Sequence, residues 1–224
     1  MMKKNEAMQN ANKNLTEMVF ILDRSGSMHG LERDTVGGFN AMIEKQQQTE
    51  GEALVSTVLF NHESRVVHDR VPLDRVKPMT MRDYTVSGST AMLDAIGDAI
   101  RHIRTVHKYA RPEDVPAHTV VVITTDGMEN ASRRYDRAKI RQMIDEQQKK
   151  GWEFIFLGAN IDAGAAAEEI GIRAECAADC CCDEQGIEVN FQAINEAVRC
   201  VRSAAPLTAS WKKNVDADIK ARRR

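Results

Sequence analysis

From Glu17 onward, short continuous apolar runs alternate with longer amphipathic stretches. EMVFILD (17–23) has no polar alternation, as expected of a strand buried on both faces. A helix is predicted from about Leu31 to Gln48, with Leu31, Thr35, Phe39, Met42 and Ile43 on one stripe. Gly37-Gly38 inside it costs about 1 kcal/mol per glycine relative to alanine. Close packing of that turn on the sheet would account for the pair. ALVSTVLF (53–60) and SRVVHD (64–69) are the next strands, joined by Asn61-His62-Glu63. So short a link predicts an antiparallel hairpin, because a parallel crossover needs a dozen residues or more.

After an irregular segment ending in VSGST (86–90), a helix over 91–109 carries Leu93, Ile96, Ile100, Ile103 and His107 on one face. HTVVVITTD (118–126) reads as a buried strand, 134–149 as a charged helix and WEFIFLGA (152–159) as a strand. A short helix follows at 163–171, then a weak strand near 172–178. Ile187, Phe191, Ile194, Val198 and Val201 mark a last, strongly periodic helix. The pattern predicts an α/β, doubly wound, Rossmann-like fold. Its central sheet is mostly parallel with one antiparallel edge strand, and helices cover both faces. The division expected is a flexible leader over 1–14, one domain over 15–205 and a basic tail over 206–224, read as a solvated segment from Lys212 to Arg224.

Composition narrows the function. The chain has 224 residues and a formal net charge of -2, so it carries no global field for nucleic acid or membranes. Aromatic residues are only 5%, which disfavours a base-stacking platform. The first residues lack the apolar core of a secretory signal, and no run approaches the ~18 apolar residues of a spanning helix, so a cytoplasmic location is expected. The five cysteines are odd in number and mostly crowded over 176–182, which suits reduced thiols better than disulfides. Zinc is disfavoured as well, since the knuckle spacing is absent and all six histidines lie far off in sequence.

The chemistry concentrates at strand ends. In a doubly wound sheet, ligands sit outside the carboxyl ends of the strands, where strand order reverses. Asp23 and Asp126 stand at two such ends. Ser25 and Ser27 follow the first, and Thr90 lies in a glycine-containing loop at a helix start. Two carboxylates and three hydroxyls are hard oxygen donors suited to Mg²⁺, with Mn²⁺ or Ca²⁺ as alternatives. A coordination position left open could accept a carboxylate from a partner.

Asp23-x-Ser25-x-Ser27, then GSTA with Thr90, then TTDG with Asp126, resembles the metal-ion-dependent adhesion site of von Willebrand factor type A domains. The likeness is strongest to stand-alone cytosolic bacterial members, which carry similar DRSGSM and TDGMEN motifs, and it spans roughly residues 15–205. The resemblance implies direct metal ligation by Ser25 and Ser27. It implies ligation by Thr90 directly or through water, and by Asp23 and Asp126 largely through water.

Plainer roles compete. Asp23 and Ser25 could cap the following helix, Thr90 could cap the 91–109 helix, and Asp126-Gly127 could be an ordinary turn. Glu129 and Asn130 are placed on the rim, and Arg24 and His29 are read as solvated loop residues. The expected function is a module that binds an acidic residue of a protein partner through the metal, not an enzyme. A haloacid-dehalogenase-like phosphatase needs a second aspartate where Ser25 stands, and neither a Gly-x-Ser-x-Gly elbow nor a phosphate-binding Gly-Lys-Ser/Thr loop occurs. A metal-dependent hydrolase and an architectural subunit with an idle site are the alternatives. Oligomeric state is left open.

Overall fold

The computed structural model describes residues 12–222. Six strands form one sheet in the order β3-β2-β1-β4-β5-β6. They are β1 (Asn12–Asp23), β2 (Glu52–Phe60), β3 (Ser64–Pro72), β4 (Pro116–Thr125), β5 (Trp152–Ala159) and β6 (Ala177–Cys180). β3 alone is antiparallel, paired with β2 across the three-residue turn. The others pair in parallel. The helices are α1 (Glu32–Gln47), α2 (Met92–Tyr109), α3 (Arg137–Gln148), α4 (Ala163–Glu169), α5 (Glu184–Arg202) and α6 (Lys213–Arg222).

Sheet growth starts at β1 and runs both ways, through α1 to β2 and through α3 from β4 to β5. Right-handed crossovers in opposite directions put those helices on opposite faces. Accordingly α1 packs on α5, whereas α2 packs on α3 and α3 on α4. Val19 to Leu22 and Val120 to Ile123, on the two central strands, are essentially inaccessible, as their unbroken apolar runs require. Asp136, Asp162 and Asp183 each accept a main-chain N–H three residues on, starting α3, α4 and α5.

Three expectations need correction. The Gly37-Gly38 pair does not meet the sheet: at Gly38 an added Cβ would overlap the Phe191 ring of α5. Phe39, beside it, packs edge-on against both Phe20 and Phe191, with centroids 5.5 and 6.4 Å away. Gly38→Ala therefore sets about 1 kcal/mol of helix propensity against an overpacking cost of about 1–3 kcal/mol. Because Phe191 is wedged between two helices, we expect net destabilisation, read as a lower urea midpoint with unchanged m.

The weak strand is displaced. Residues 174–176 make a 3₁₀ turn, and only Ala177–Cys180 pair with β5.

The tail is not a solvated segment. Trp211 and Val215 are buried, the Trp211 indole donates to the Glu175 carbonyl at 3.0 Å, and Lys212 Nζ donates to that of Ala174 at 2.8 Å. Its basic composition hid two apolar anchors that dock α6 against β6 and α5. The expected leader over 1–14 lies largely outside the described residues, and β1 already begins at Asn12.

Candidate metal centre

β1 and β4 are adjacent and parallel, in a register that pairs Leu22 with Thr124. Their carboxyl ends carry Asp23 and Asp126 to one edge, at the point where the sheet order reverses. Both side chains are buried, 2% and 5% exposed. Asp23 is heavily engaged: Oδ1 accepts from the Ser25 N–H at 2.7 Å, and Oδ2 from the Thr125 hydroxyl at 2.8 Å and the Asp126 N–H at 3.2 Å. A carboxylate offers about four acceptor positions, so one remains open.

The hydroxyls lie beside it. Ser27 Oγ donates to the Asp126 main-chain carbonyl at 2.7 Å, and Ser25 Oγ is 3.2 Å from Ser27 Oγ. With the Ser27 proton on that carbonyl, Ser25 donates within the pair and both oxygens keep lone pairs. Adjacent ligands of an octahedral ion with bonds of about 2.0–2.1 Å stand roughly 3 Å apart. The serine pair therefore fits two neighbouring ligand positions. Among the described residues, no group of three or more His, Cys, Asp or Glu side chains could hold a metal ion. What this edge offers is two carboxylates and hydroxyl oxygens, a set suited to a hard cation.

Thr90 is held between the other two loops. Its N–H donates to Asn130 Oδ1 at 2.9 Å, and its carbonyl accepts from the N–H groups of Asn130 and Ala131 at 3.0 and 3.2 Å. Gly88, two residues earlier, accepts from the Gly26 N–H at 2.9 Å. Gly88 has φ +72° and no room for a Cβ beside the His62 ring, so glycine is required there. Asn61 completes the tie, its amide donating to the Ser87 carbonyl at 2.8 Å. The structure thus brings Asp23, Ser25, Ser27 and Asp126 into one hydrogen-bonded cluster, and fixes Thr90 to it through its backbone.

The capping roles do not hold. The residues before α1 and α2 are Leu31 and Ala91, and neither helix has a side-chain cap at that position. Glu129 supplies the missing acceptor for α2. Its carboxylate takes the Leu93 N–H at 2.9 Å, and the N–H groups of Ala131 and Ser132. Glu129 and Asn130 are thus clamps that bind the β4 loop to the start of α2, not rim residues. Asp94 extends the clamp: burial raises its carboxyl, but three main-chain N–H groups and Arg134 outweigh that and hold it below the usual carboxylate range. Arg24 is half-buried and donates to the Thr85 carbonyl at 3.1 Å, whereas His29 is exposed, as expected.

Asn160 and Tyr84 were not anticipated. Asn160, just after β5, is in the left-handed conformation, φ +57°, and its amide donates to Asp126 Oδ1. It sits at a strand end like the two aspartates, and that position in LGAN was the available signal. The Tyr84 hydroxyl donates to the Asp23 main-chain carbonyl, and burial pushes its phenol far up. No motif marked Tyr84.

Burial raises the Asp126 carboxyl. The Asn160 hydrogen bond opposes that rise, and the charge of Asp23 adds to it. Two carboxylates facing one another in a half-dry site are arranged for a cation. Cys182 is close by, its Sγ 4.0 Å from Met28 Sδ, but burial pushes its thiol far above the ordinary value.

The model of one family, the von Willebrand factor type A domain, matches residues 17–183. The chain belongs to that family. The type A fold also appears among solved structures. A von Willebrand factor type A protein from Catenulispora acidiphila has a TM-score of 0.60 at 16% identity over 83% of this chain and 43% of its own. The mussel byssus proximal thread matrix protein 1, solved with a zinc-occupied MIDAS motif, gives 0.58 at 14% identity over 84% and 47%. Manganese-loaded Plasmodium vivax TRAP protein gives 0.54 at 13% over 80% and 74%. This chain spans less than half the length of the first two. No curated protein matches the sequence.

Proposed function

We propose that this type A domain is a metal-dependent protein-interaction module rather than an enzyme. Asp23, Ser25, Ser27, Thr90 and Asp126 would hold Mg²⁺, with Mn²⁺ or Ca²⁺ as substitutes. The bound ion supplies a Lewis-acidic position that an acidic side chain of a partner protein can fill. The observation that carries this reading is the hydrogen-bonded cluster of Asp23, Asp126, Ser25 and Ser27 at the switch point of the sheet. The zinc-occupied MIDAS motif of the mussel structure supports a metal at this position of the fold.

The chain's own residues divide the work. Thr125 and the Asp126 N–H orient the Asp23 carboxylate, and Asn160 orients that of Asp126. The Asn61, Gly88 and Asn130 contacts fix Thr90 before any partner arrives, which lowers the ordering cost of binding. Against catalysis, Ser25 occupies the position at which a phosphatase of the haloacid dehalogenase type carries its acid. The reading also places the protein in the cytoplasm of a bacterium. Five free thiols suit such a reducing compartment.

The test is capture from the source lysate on the tagged protein in Mg²⁺, in EDTA, and as Ser27→Ala in Mg²⁺. A protein retained only by the wild type in Mg²⁺ is the expected result. Partners indifferent to both EDTA and the substitution would remove the metal-bridged mechanism.

A further inference from the structure

The cysteines at the end of β6 lie outside the oxygen cluster, and their arrangement is independent of the Mg²⁺ reading. Cys180 is the last residue of β6, and Cys182 comes two residues later. Alternate residues of an extended segment turn to the same side. Accordingly Cys180 and Cys182 both wall an inner cavity between the strand ends and α5, whereas Cys181 borders only an outer cleft. The cavity has a volume of about 40 Å³. A water needs about 10–15 Å³ of such space, so a bare metal ion fits.

Met28, from the turn after β1, reaches the same cavity, and its Sδ is 4.0 Å from Cys182 Sγ. Two thiols and a thioether thus border one small space. Sulfur ligands about 2.3 Å from a shared ion in a trigonal plane stand about 4 Å apart, which the Met28–Cys182 pair matches. Leu157, Ile187 and Ile194 give the cavity an apolar wall. Asp23 borders it too, but its carboxylate is already engaged by Ser25, Thr125 and the Asp126 N–H. The way in passes Cys182, which is partly exposed and also faces the outer cleft.

We infer that Met28, Cys180 and Cys182 form a three-sulfur site for monovalent copper. Thiolate and thioether donors together select Cu⁺, whereas zinc draws on thiolate, imidazole and carboxylate and not on a thioether. The third donor here is a methionine, so the cluster is not a group of three histidine, cysteine or carboxylate side chains. Burial pushes both thiols far above their ordinary value, so they stay protonated until an ion replaces the protons. A coordinating thiol is deprotonated outright. Binding therefore releases two protons to solvent, moves no electron, and leaves copper as Cu⁺ with a single net negative charge on the site. The partly exposed Cys182 keeps that charge near water, and the apolar wall limits access of oxidants to the ion.

The test is anaerobic titration of the reduced full chain with Cu⁺ against the chromogenic chelator bathocuproine disulfonate. The wild type is expected to hold a single equivalent against the chelator, with a sulfur-to-copper charge-transfer band in the near ultraviolet. Cys180→Ser and Cys182→Ser are each expected to lower the affinity at least about a hundredfold, the upper end of what losing even an outer partner of a metal ligand costs. Met28→Leu lowers it less, because a thioether is neutral. Cys181→Ser and Cys200→Ser, outside the cavity, are expected to bind as the wild type does. Ser27→Ala is expected to keep the copper as well, which separates this site from the oxygen cluster. X-ray absorption of the wild type needs no substitution and is expected to show three sulfur neighbours. Loss of the copper to the chelator, oxygen or nitrogen in the copper shell, retention by both the Cys180 and the Cys182 variants, or equal loss in Cys181→Ser would overturn the assignment.

Discussion

In EDTA the variant Asp126→Asn is expected to melt at a higher temperature than the wild type, and in Mg²⁺ or Mn²⁺ the order is expected to reverse. Both halves follow from the Asp23–Asp126 pair. Without a cation, the folded wild type keeps a carboxyl whose ionisation is disfavoured by burial and by Asp23. A carboxyl with a raised folded pKa costs stability at any pH above that pKa, and the cost fades as pH falls through it. The asparagine removes the cost and keeps an oxygen for the Asn160 amide. With metal at a hundred times its Kd, binding to the folded wild type contributes about 2.7 kcal/mol. For a domain of this size that is roughly 5–10 °C. Asp126→Asn forfeits this gain. Melts of both proteins in EDTA and over a metal titration decide the matter. An equal metal-induced rise in the two would place the ion elsewhere.

Arg70→Met is expected to destabilise the protein by about 3–5 kcal/mol, the cost of stranding a buried charge. Glu17 lies on β1 with no exposed surface, and its Oε2 takes Arg70 Nε at 2.8 Å and His107 Nε2 at 3.1 Å. Its Oε1 has no partner among the described residues. Removing the guanidinium leaves the carboxylate with the imidazole alone. The pair itself is a different matter, since a buried ion pair replaced by apolar residues of similar volume is often nearly neutral. Glu17→Leu with Arg70→Met is therefore expected to recover most of the loss. Urea unfolding of the two single variants and the double variant measures the cycle. A small effect of Arg70→Met alone would mean that Glu17 is neutral in the fold.

Much of the site could be read in advance because it sits at strand ends. EMVFILD and HTVVVITTD announce buried parallel strands by their unbroken apolar runs, so Asp23 and Asp126 mark where those runs stop. The hairpin was legible because three residues cannot make a crossover. The tail was misread because a count of charges cannot weigh two well-placed apolar side chains, Trp211 and Val215. Glu129 was misread because its role depends on the position of Leu93, which comes 36 residues earlier.

The sequence by itself determined the element order from β1 through α5, the parallel sheet with its antiparallel edge, and five oxygen-bearing side chains at one end of it. Those features are periodic or local, and the physics that sets them acts within a few residues. Only the tertiary structure decided which groups orient the candidate ligands: Asn160 on Asp126, Thr125 on Asp23, Tyr84 on the Asp23 carbonyl and Asn130 on Thr90. It also decided that Gly38 receives Phe191 and that Met28 meets Cys180 and Cys182 at one cavity. Each of these joins residues far apart in the chain. Such contacts are fixed by how the helices settle on the twisted sheet, which hydrophobic periodicity along the chain does not encode.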